Sequence, residues 1–454
     1  MMSSFKNIFK IPDLKNRVLF TLGILVLYRI GCHIPTPGIE FKVLVHYFDT
    51  TLSNTLFGLY NMFAGGAFSR AAVFGLGIMP YISASIMIQL LSAVVPFFQR
   101  LQKEGEEGRK KINQITRYTA VFISAMQALG ASAYLRTLKG IPMQDEAGVT
   151  RLYNVVPEDV NVILFTFIVM ITMTAGTILV MWMGEQITER GIGNGISMII
   201  FIGIVNRFPN ALLAQIPRIN KTGIPVTEIF ILGLLIGIIM LVVLVTEGTR
   251  KIPVQYAKRV VGRKVYGGQS TYLPIRVSGF GVMAIIFAQS LMFFPQTIAQ
   301  FFPNSEFVTN VMSYFDITHP IYWFIFGLLI LFFTYFYAAI AFNPVDVADN
   351  MQKYGGFIPG IRPGKNTAEY IDHVLNRIML PAAIFFSAVA IWPFFVQTNF
   401  DVDPQLAGFF GGTSLLIMVG VALDTLQQIE SHLLMRHYEG FMKTGRIRGR
   451  RARG

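Results

Sequence analysis

The sequence predicts an all-α polytopic membrane protein, and three observations carry that prediction. Of 454 residues, 53% are hydrophobic and only 14% are charged, against roughly 25% charged in soluble chains. The charges are clustered, and long uncharged runs separate the clusters. The runs lack the alternating segments of about ten residues that an outer-membrane barrel requires. Mean hydropathy is +0.54.

Ten spans are predicted. The first covers residues 18–34. The second lies near 71–95, behind a stretch around Asn61–Arg70 that is too short to cross. About 10–14 apolar residues suit a re-entrant piece rather than a span. Gly65, Gly66, Gly75, Gly77 and Pro80 interrupt this region, as in proteins whose irregular backbone lines a cavity. Spans three to five are expected at 118–138, 160–183 and 192–206. The fifth is short and starts with the glycine-rich run 191–195, so it suits the interior of a bundle better than lipid. Spans six to ten are expected at 227–246, 278–299, 320–341, 374–396 and 411–432.

Charge sets the orientation. Of 38 Lys and Arg, 29 fall in the terminal segments and alternate loops on the N-terminal side, which makes both termini cytoplasmic by the positive-inside rule. The net charge of +13 is read the same way. The segments 247–276 and 342–373 are too long for simple connectors. The first alternates enough to form a short hairpin; the second holds GGFIPGIRPGKNTAEY. The tail ends RIRGRRARG. One cysteine, Cys32, excludes an internal disulfide. The basic start followed by an apolar run lacks a small-x-small cleavage site, so the first span is expected to stay uncleaved.

No enzyme signature is present: the sequence lacks metal-spaced Cys/His clusters, a Walker loop and HExxH, and no cofactor is expected. Charge inside the spans is sparse, Arg29 and Asp424 near span ends. This weighs against an ion-coupled transporter, which keeps carboxylates or His at mid-membrane for function. Uncharged polar residues do occur there, among them Gln89, Gln127, Gln289 and Ser290. They are either interhelical hydrogen-bonding groups or a seam that can part. Ile82 and Ile86, like Ile200 and Ile204, are spaced i, i+4 and share a helix face. Each pair is either core packing or part of an apolar collar that stops ions by dewetting. A transporter and a non-channel insertase remain open on these residues alone.

Several long motifs, in order, make the chain resemble the SecY family, channel subunits of the bacterial protein-translocation complex. They include FGLGIMPYISASIMIQLL, KEGEEGRKKINQ, MWMGEQITERGIGNGIS, YAKRVVGRKVYGGQSTYLP, FNPVDVADN, GGFIPGIRPGKNTAEYI and FGGTSLLIMVGVALD. The resemblance implies ten transmembrane helices in two inverted five-helix halves around an hourglass pore. It divides the chain into a cytoplasmic N-terminus (1–17), an N-terminal half (18–206), a periplasmic hinge loop (207–226), a C-terminal half (227–435) and a basic cytoplasmic tail (436–454).

It also implies roles for individual residues. The pore ring would be Ile82, Ile86, Ile200, Ile204, Ile286 and Ile417. The plug would be Asn61, Met62, Phe63, Ala64, Gly65, Gly66, Ala67, Phe68 and Ser69. A lateral gate would set Gln89 and Gln127 against Gln289 and Ser290. Many family members have a small or hydroxyl residue where this chain has Gln289. Lys258, Arg259, Arg263, Lys264 and Arg362 would meet the SecA motor or the ribosome, including ribosomal RNA, although positive-inside bias alone also accounts for these charges. Other implied partners are SecE- and SecG-like subunits, signal peptides, nascent chains, SecDF, YidC and membrane lipids. The implied location is the bacterial inner membrane.

Overall fold

The structure, a computed structural model, describes residues 11–52, 55–144, 150–206, 209, 226–256, 259–261, 264–266, 270–276, 278–302, 305–399 and 412–444. Residues 1–10 of the N-terminal segment, nearly all of the hinge loop and residues 445–454 of the tail lie outside them. Each predicted span is matched by a helix.

In the first half, α1 (Pro12–Gly31) is opened by a proline, whose missing N–H costs nothing at a first helical position. Short helix α2 (Phe41–Tyr47) follows, then a π turn (Phe48–Leu52) and α3 (Leu56–Phe63). Next come α4 (Met79–Val94), α5 (Pro96–Lys103) and α6 (Glu106–Thr137). An unpredicted hairpin, β1 (Ile141–Gln144) with β2 (Thr150–Tyr153), leads to α7 (Val162–Arg190) and α8 (Gly195–Val205).

The second half starts with α9 (Val226–Glu247). Strands β3 (Thr249–Tyr256), β4 (Arg259–Val261), β5 (Lys264–Tyr266) and β6 (Ser270–Arg276) follow. Then come α10 (Ser278–Ala299), α11 (Glu306–Tyr314), α12 (Pro320–Ala341), α13 (Pro344–Lys353), β7 (Gly356–Phe357), α14 (Lys365–Asn399) and α15 (Gly412–Thr444).

Neighbour order recurs between the halves. In the first, α4 packs on α6, α6 on α7 and α7 on α8; in the second, α10 packs on α12, α12 on α14 and α14 on α15. The outer helix of each half also touches the last one: α1 meets α8, and α9 meets α15. A repeated five-helix unit produces this pattern. One large apolar core runs through both halves.

Two spans depart from expectation. Residues 71–78 are turns rather than the start of span two, because Gly77 takes φ +58° and Pro80 favours a helix start here. The helix of 16 residues then bends by 95° into α5. Span five contracts to 11 residues, roughly 16 Å at about 1.5 Å per residue, against roughly 30 Å of hydrocarbon. Among the described residues, five helices are long and apolar enough to span alone, or six if α4 and α5 count as one. The others depend on their neighbours: α8 is enclosed by α7, α15, α3 and α1.

Strand β3 pairs antiparallel with β6 along its length, as the alternation predicts, and β4 pairs with β5. The sequence does not reveal that β7 adds to β3, Gln255 opposite Phe357 and Tyr256 opposite Gly356. The two long loops are thereby one sheet, over a second core in which Ile252, Val254 and Ile275 meet Ile371, Leu375 and Met379.

Candidate functional site

The six isoleucines lie on four helices. Ile82 and Ile86 lie on α4, Ile200 and Ile204 on α8, Ile286 on α10 and Ile417 on α15. All are at most 4% exposed and share one core. Their helices form a closed circuit: α4 touches α10, α10 touches α15, α15 touches α8, and α7 joins α8 back to α4.

Beside this circuit, against α8 and α10, sits the piece predicted to be re-entrant. Its helix, α3, begins at Leu56, five residues before the predicted plug, and residues 64–69 form turns. All nine predicted plug residues are buried. Asn61 closes the loop on itself: its carbonyl accepts from Gly66 N at 2.8 Å and its Oδ1 from Ser69 N at 2.9 Å. Gly65 and Gly66 take φ +65° and +85°, a region that L side chains enter at a cost.

Contacts from both halves hold this loop. Arg29 donates to Gly65 O at 2.6 Å, and the Tyr28 hydroxyl and Cys32 thiol both point at Ala64 O, at 3.4 and 3.9 Å. A charge-assisted hydrogen bond of this kind contributes about 1.5–3 kcal/mol. Gly203 of α8 lies so close that a Cβ there would meet Phe63 O at 3.0 Å and Gly65 N at 3.2 Å. From the second half, Phe293 packs edge-on against Tyr60 and Phe63, with centroids 5.3 and 6.3 Å apart. Ser414 donates to Met62 Sδ at 3.5 Å.

The predicted gate is rearranged. Ser290 does face the first half, where its hydroxyl lies 2.9 Å from that of Ser83 on α4. Gln289 does not. It is 1% exposed and turned beside Tyr322 of α12, because one residue turns a helix by about 100°. Gln89 donates to Ser85 Oγ at 3.1 Å within its own helix. Gln127 faces a small cavity of about 20 Å³ that Gln296 and Gln300 of the α10 region also line, with Tyr60 of α3 and Phe68. Here α6 comes close: a Cβ on Gly130 would meet Gln300 Oε1 at 3.2 Å. Ser83 and Ser290 thus meet between α4 and α10, and Gln127, Gln296 and Gln300 line one cavity. Sequence reasoning missed Ser83, Gln296 and Gln300, although the i, i+4 spacing of the two glutamines is visible in the sequence.

It also missed the Tyr28–Arg29–Cys32 clasp. The available signal was Arg29 itself, since an ionisable residue within a span is a functional candidate by default.

On the loop sheet, Arg259 and Lys264 stand in β4 and β5, opposite Tyr266 and Val261. Lys258 and Arg263 lie outside the described residues. Arg362 is exposed on the turn between β7 and α14, and its carbonyl accepts from the Thr367 hydroxyl at 2.9 Å. Arg117 of α6 and Glu185 of α7 form a bidentate pair at 2.8 and 2.9 Å.

The family model SecY matches residues 72–426. The protein translocase subunit SecY of Streptomyces coelicolor is 46% identical over 453 residues, covering 98% of this chain and 100% of that one. A solved structure described as a protein conducting channel superposes with TM-score 0.62 at 17% identity, covering 93% of this chain and 96% of that one. Sec61 in a canine ribosome–channel complex from the endoplasmic reticulum superposes with TM-score 0.56 at 17% identity and the same coverage.

Proposed function

This chain belongs to the SecY family, and from that premise we propose how its geometry conducts polypeptides. It is the central channel subunit of a protein translocase and catalyses no reaction. The observation that carries the reading is a re-entrant loop seated among helices that bring six buried isoleucines into one core.

At rest, the apolar collar and the plug exclude water, and an unhydrated ion cannot pass. An unfolded chain displaces the plug from its Arg29 clasp and threads between the isoleucines. A sufficiently apolar segment leaves sideways where α4 and α6 part from α10 and α12. That seam is held by few polar contacts, and interhelical hydrogen bonds in membranes contribute only about 0.6–2 kcal/mol each.

Both termini and the sheet of β3, β6 and β7 face the cytoplasm of a bacterial cell, with the protein in its inner membrane. Arg362 and the β4–β5 hairpin with Lys258, Arg259, Arg263 and Lys264 meet SecA or a translating ribosome. The relative solved with a ribosome supports the second partner. SecE- and SecG-like subunits brace the halves, and SecDF and YidC act alongside.

Site-specific crosslinking tests the reading. A photoreactive residue at each of the six isoleucine positions should capture a stalled secretory chain. Capture at lipid-facing Ile163, which is 80% exposed, should be absent. Equal capture at both sets, or none at the six, would remove the channel path proposed here.

A further inference from the structure

We propose that Asp424 is a charge-selecting side chain in the cytoplasmic funnel, binding the ammonium and guanidinium groups of a polypeptide about to cross the ring. The proposal rests on the channel reading and adds a substrate preference to it.

A cavity of about 190 Å³ lies between α8, α10, α12 and α15, lined in part by Asn194, Ser197, Val282, Tyr337, Val421 and Asp424. Helical spacing locates it. Ser197 precedes ring residue Ile200 by three positions and Val282 precedes Ile286 by four, while Val421 and Asp424 follow Ile417 by four and seven. Residues three, four or seven apart share a helix face. The cavity therefore stands one to two turns from the ring, roughly 5–10 Å, on the side of the basic loops. Ring-bearing helices contribute most of its wall, which makes it the floor of the vestibule.

Among the described residues Asp424 is the only carboxylate lining that floor, and it is exposed. The surrounding oxygens and amide of Ser197, Asn194 and Tyr337 suit an ammonium or guanidinium shared with the carboxylate. The cation whose field reaches Asp424 is Arg276, and the Arg276 guanidinium donates to Gln427 Oε1. Among the described residues Asp424 makes no hydrogen bond or ion pair of its own. Among the described residues its carboxylate is therefore presented to the path of the chain with only the field of Arg276 upon it.

At contact distance, two unit charges interact in water strongly enough to change a rate about five-fold, and more strongly where the dielectric falls. A lysine or arginine approaching the collar gains that much, and an aspartate or glutamate loses it.

The test measures translocation into membrane vesicles carrying the full complex. Three precursors differ only in a four-residue run of lysine, glutamate or serine in the mature part. With the native chain, the lysine-to-glutamate rate ratio should fall at least three-fold on Asp424→Asn, return with Asp424→Glu, and lose its dependence on Asp424 near 1 M salt, where charges are screened within about 3 Å. A ratio unchanged by Asp424→Asn at low salt, while the serine precursor crosses normally, overturns the proposal and leaves the channel standing. Failure of the serine precursor to cross with the native chain would overturn the channel reading itself.

Discussion

Arg29 shows how one residue can fasten a buried loop. A guanidinium in a span is costly, and here it is retained where it grips the Gly65 carbonyl. Removing it should leave Ala64 and Gly65 held by weaker partners. Cys32 supplies the readout, because it is the one cysteine in the chain and is 0% exposed beneath the same loop. In the idle complex, Arg29→Met should speed maleimide labelling of Cys32 about ten-fold, the change expected for about 1.4 kcal/mol of lost closed-state stability. Unchanged labelling would mean that the clasp does not hold the plug. The gate residues carry a related lesson. Ser290 reaches Ser83 while its neighbour Gln289 lies beside Tyr322, so adjacent polar residues on one helix serve different surfaces.

At the scale of elements, close helix approach explains several glycines. Gly195 lies against Gly184 O, where a Cβ would fall at 1.9 Å, and Gly176 lies equally close to Val73 O. These contacts let short α8 and the 71–78 turns nest against α7. The approach at Gly203 is different in kind, because the surface it meets is the Phe63–Gly65 loop proposed as the plug. A β-branched side chain there needs space that only plug movement provides. Gly203→Val should therefore raise ion conductance of the idle channel several-fold, with little change in the thermal stability of the bundle. Parallel loss of stability and of seal would instead make Gly203 a packing residue of the bundle. The α8 helix is also held from outside: Asn194 Oδ1 caps it through Ser197 N at 3.2 Å, and Gln428 of α15 accepts from Gly193 N at 2.9 Å.

For the whole molecule, the joining of two distant loops into one sheet matters most. Pairing of β7 with β3, over a core shared with α14, makes a rigid platform from segments a hundred residues apart. Arg362 is displayed beside it, exposed and on a turn whose backbone is fastened by Thr367. Reversing its charge should disturb a partner and not the fold. Arg362→Glu is expected to reduce SecA-driven export at least ten-fold while the melting temperature of the purified complex stays within a degree or two. An equal fall in both would assign Arg362 to the platform's own stability.

The spans were legible in the sequence because hydrocarbon imposes a local rule: a run of apolar residues must satisfy its own backbone, and does so as a helix. Residues 320–341 illustrate this, since the predicted and observed bounds coincide. That residues 61–70 form no span was legible from their length, and the hairpin of β3 and β6 from alternation. The isoleucine and plug assignments needed family resemblance, because an i, i+4 pair of isoleucines reads equally well as core. Other features were decided only in three dimensions. Turns replaced the start of span two, Gln289 turned inward, Ser83 met Ser290 across 207 residues, and Arg29 reached Gly65 across 36. Local hydrophobicity specifies which segments cross the membrane. Which face each helix shows its neighbour depends on packing between segments far apart in the chain, and the seal and the seam reside in those faces.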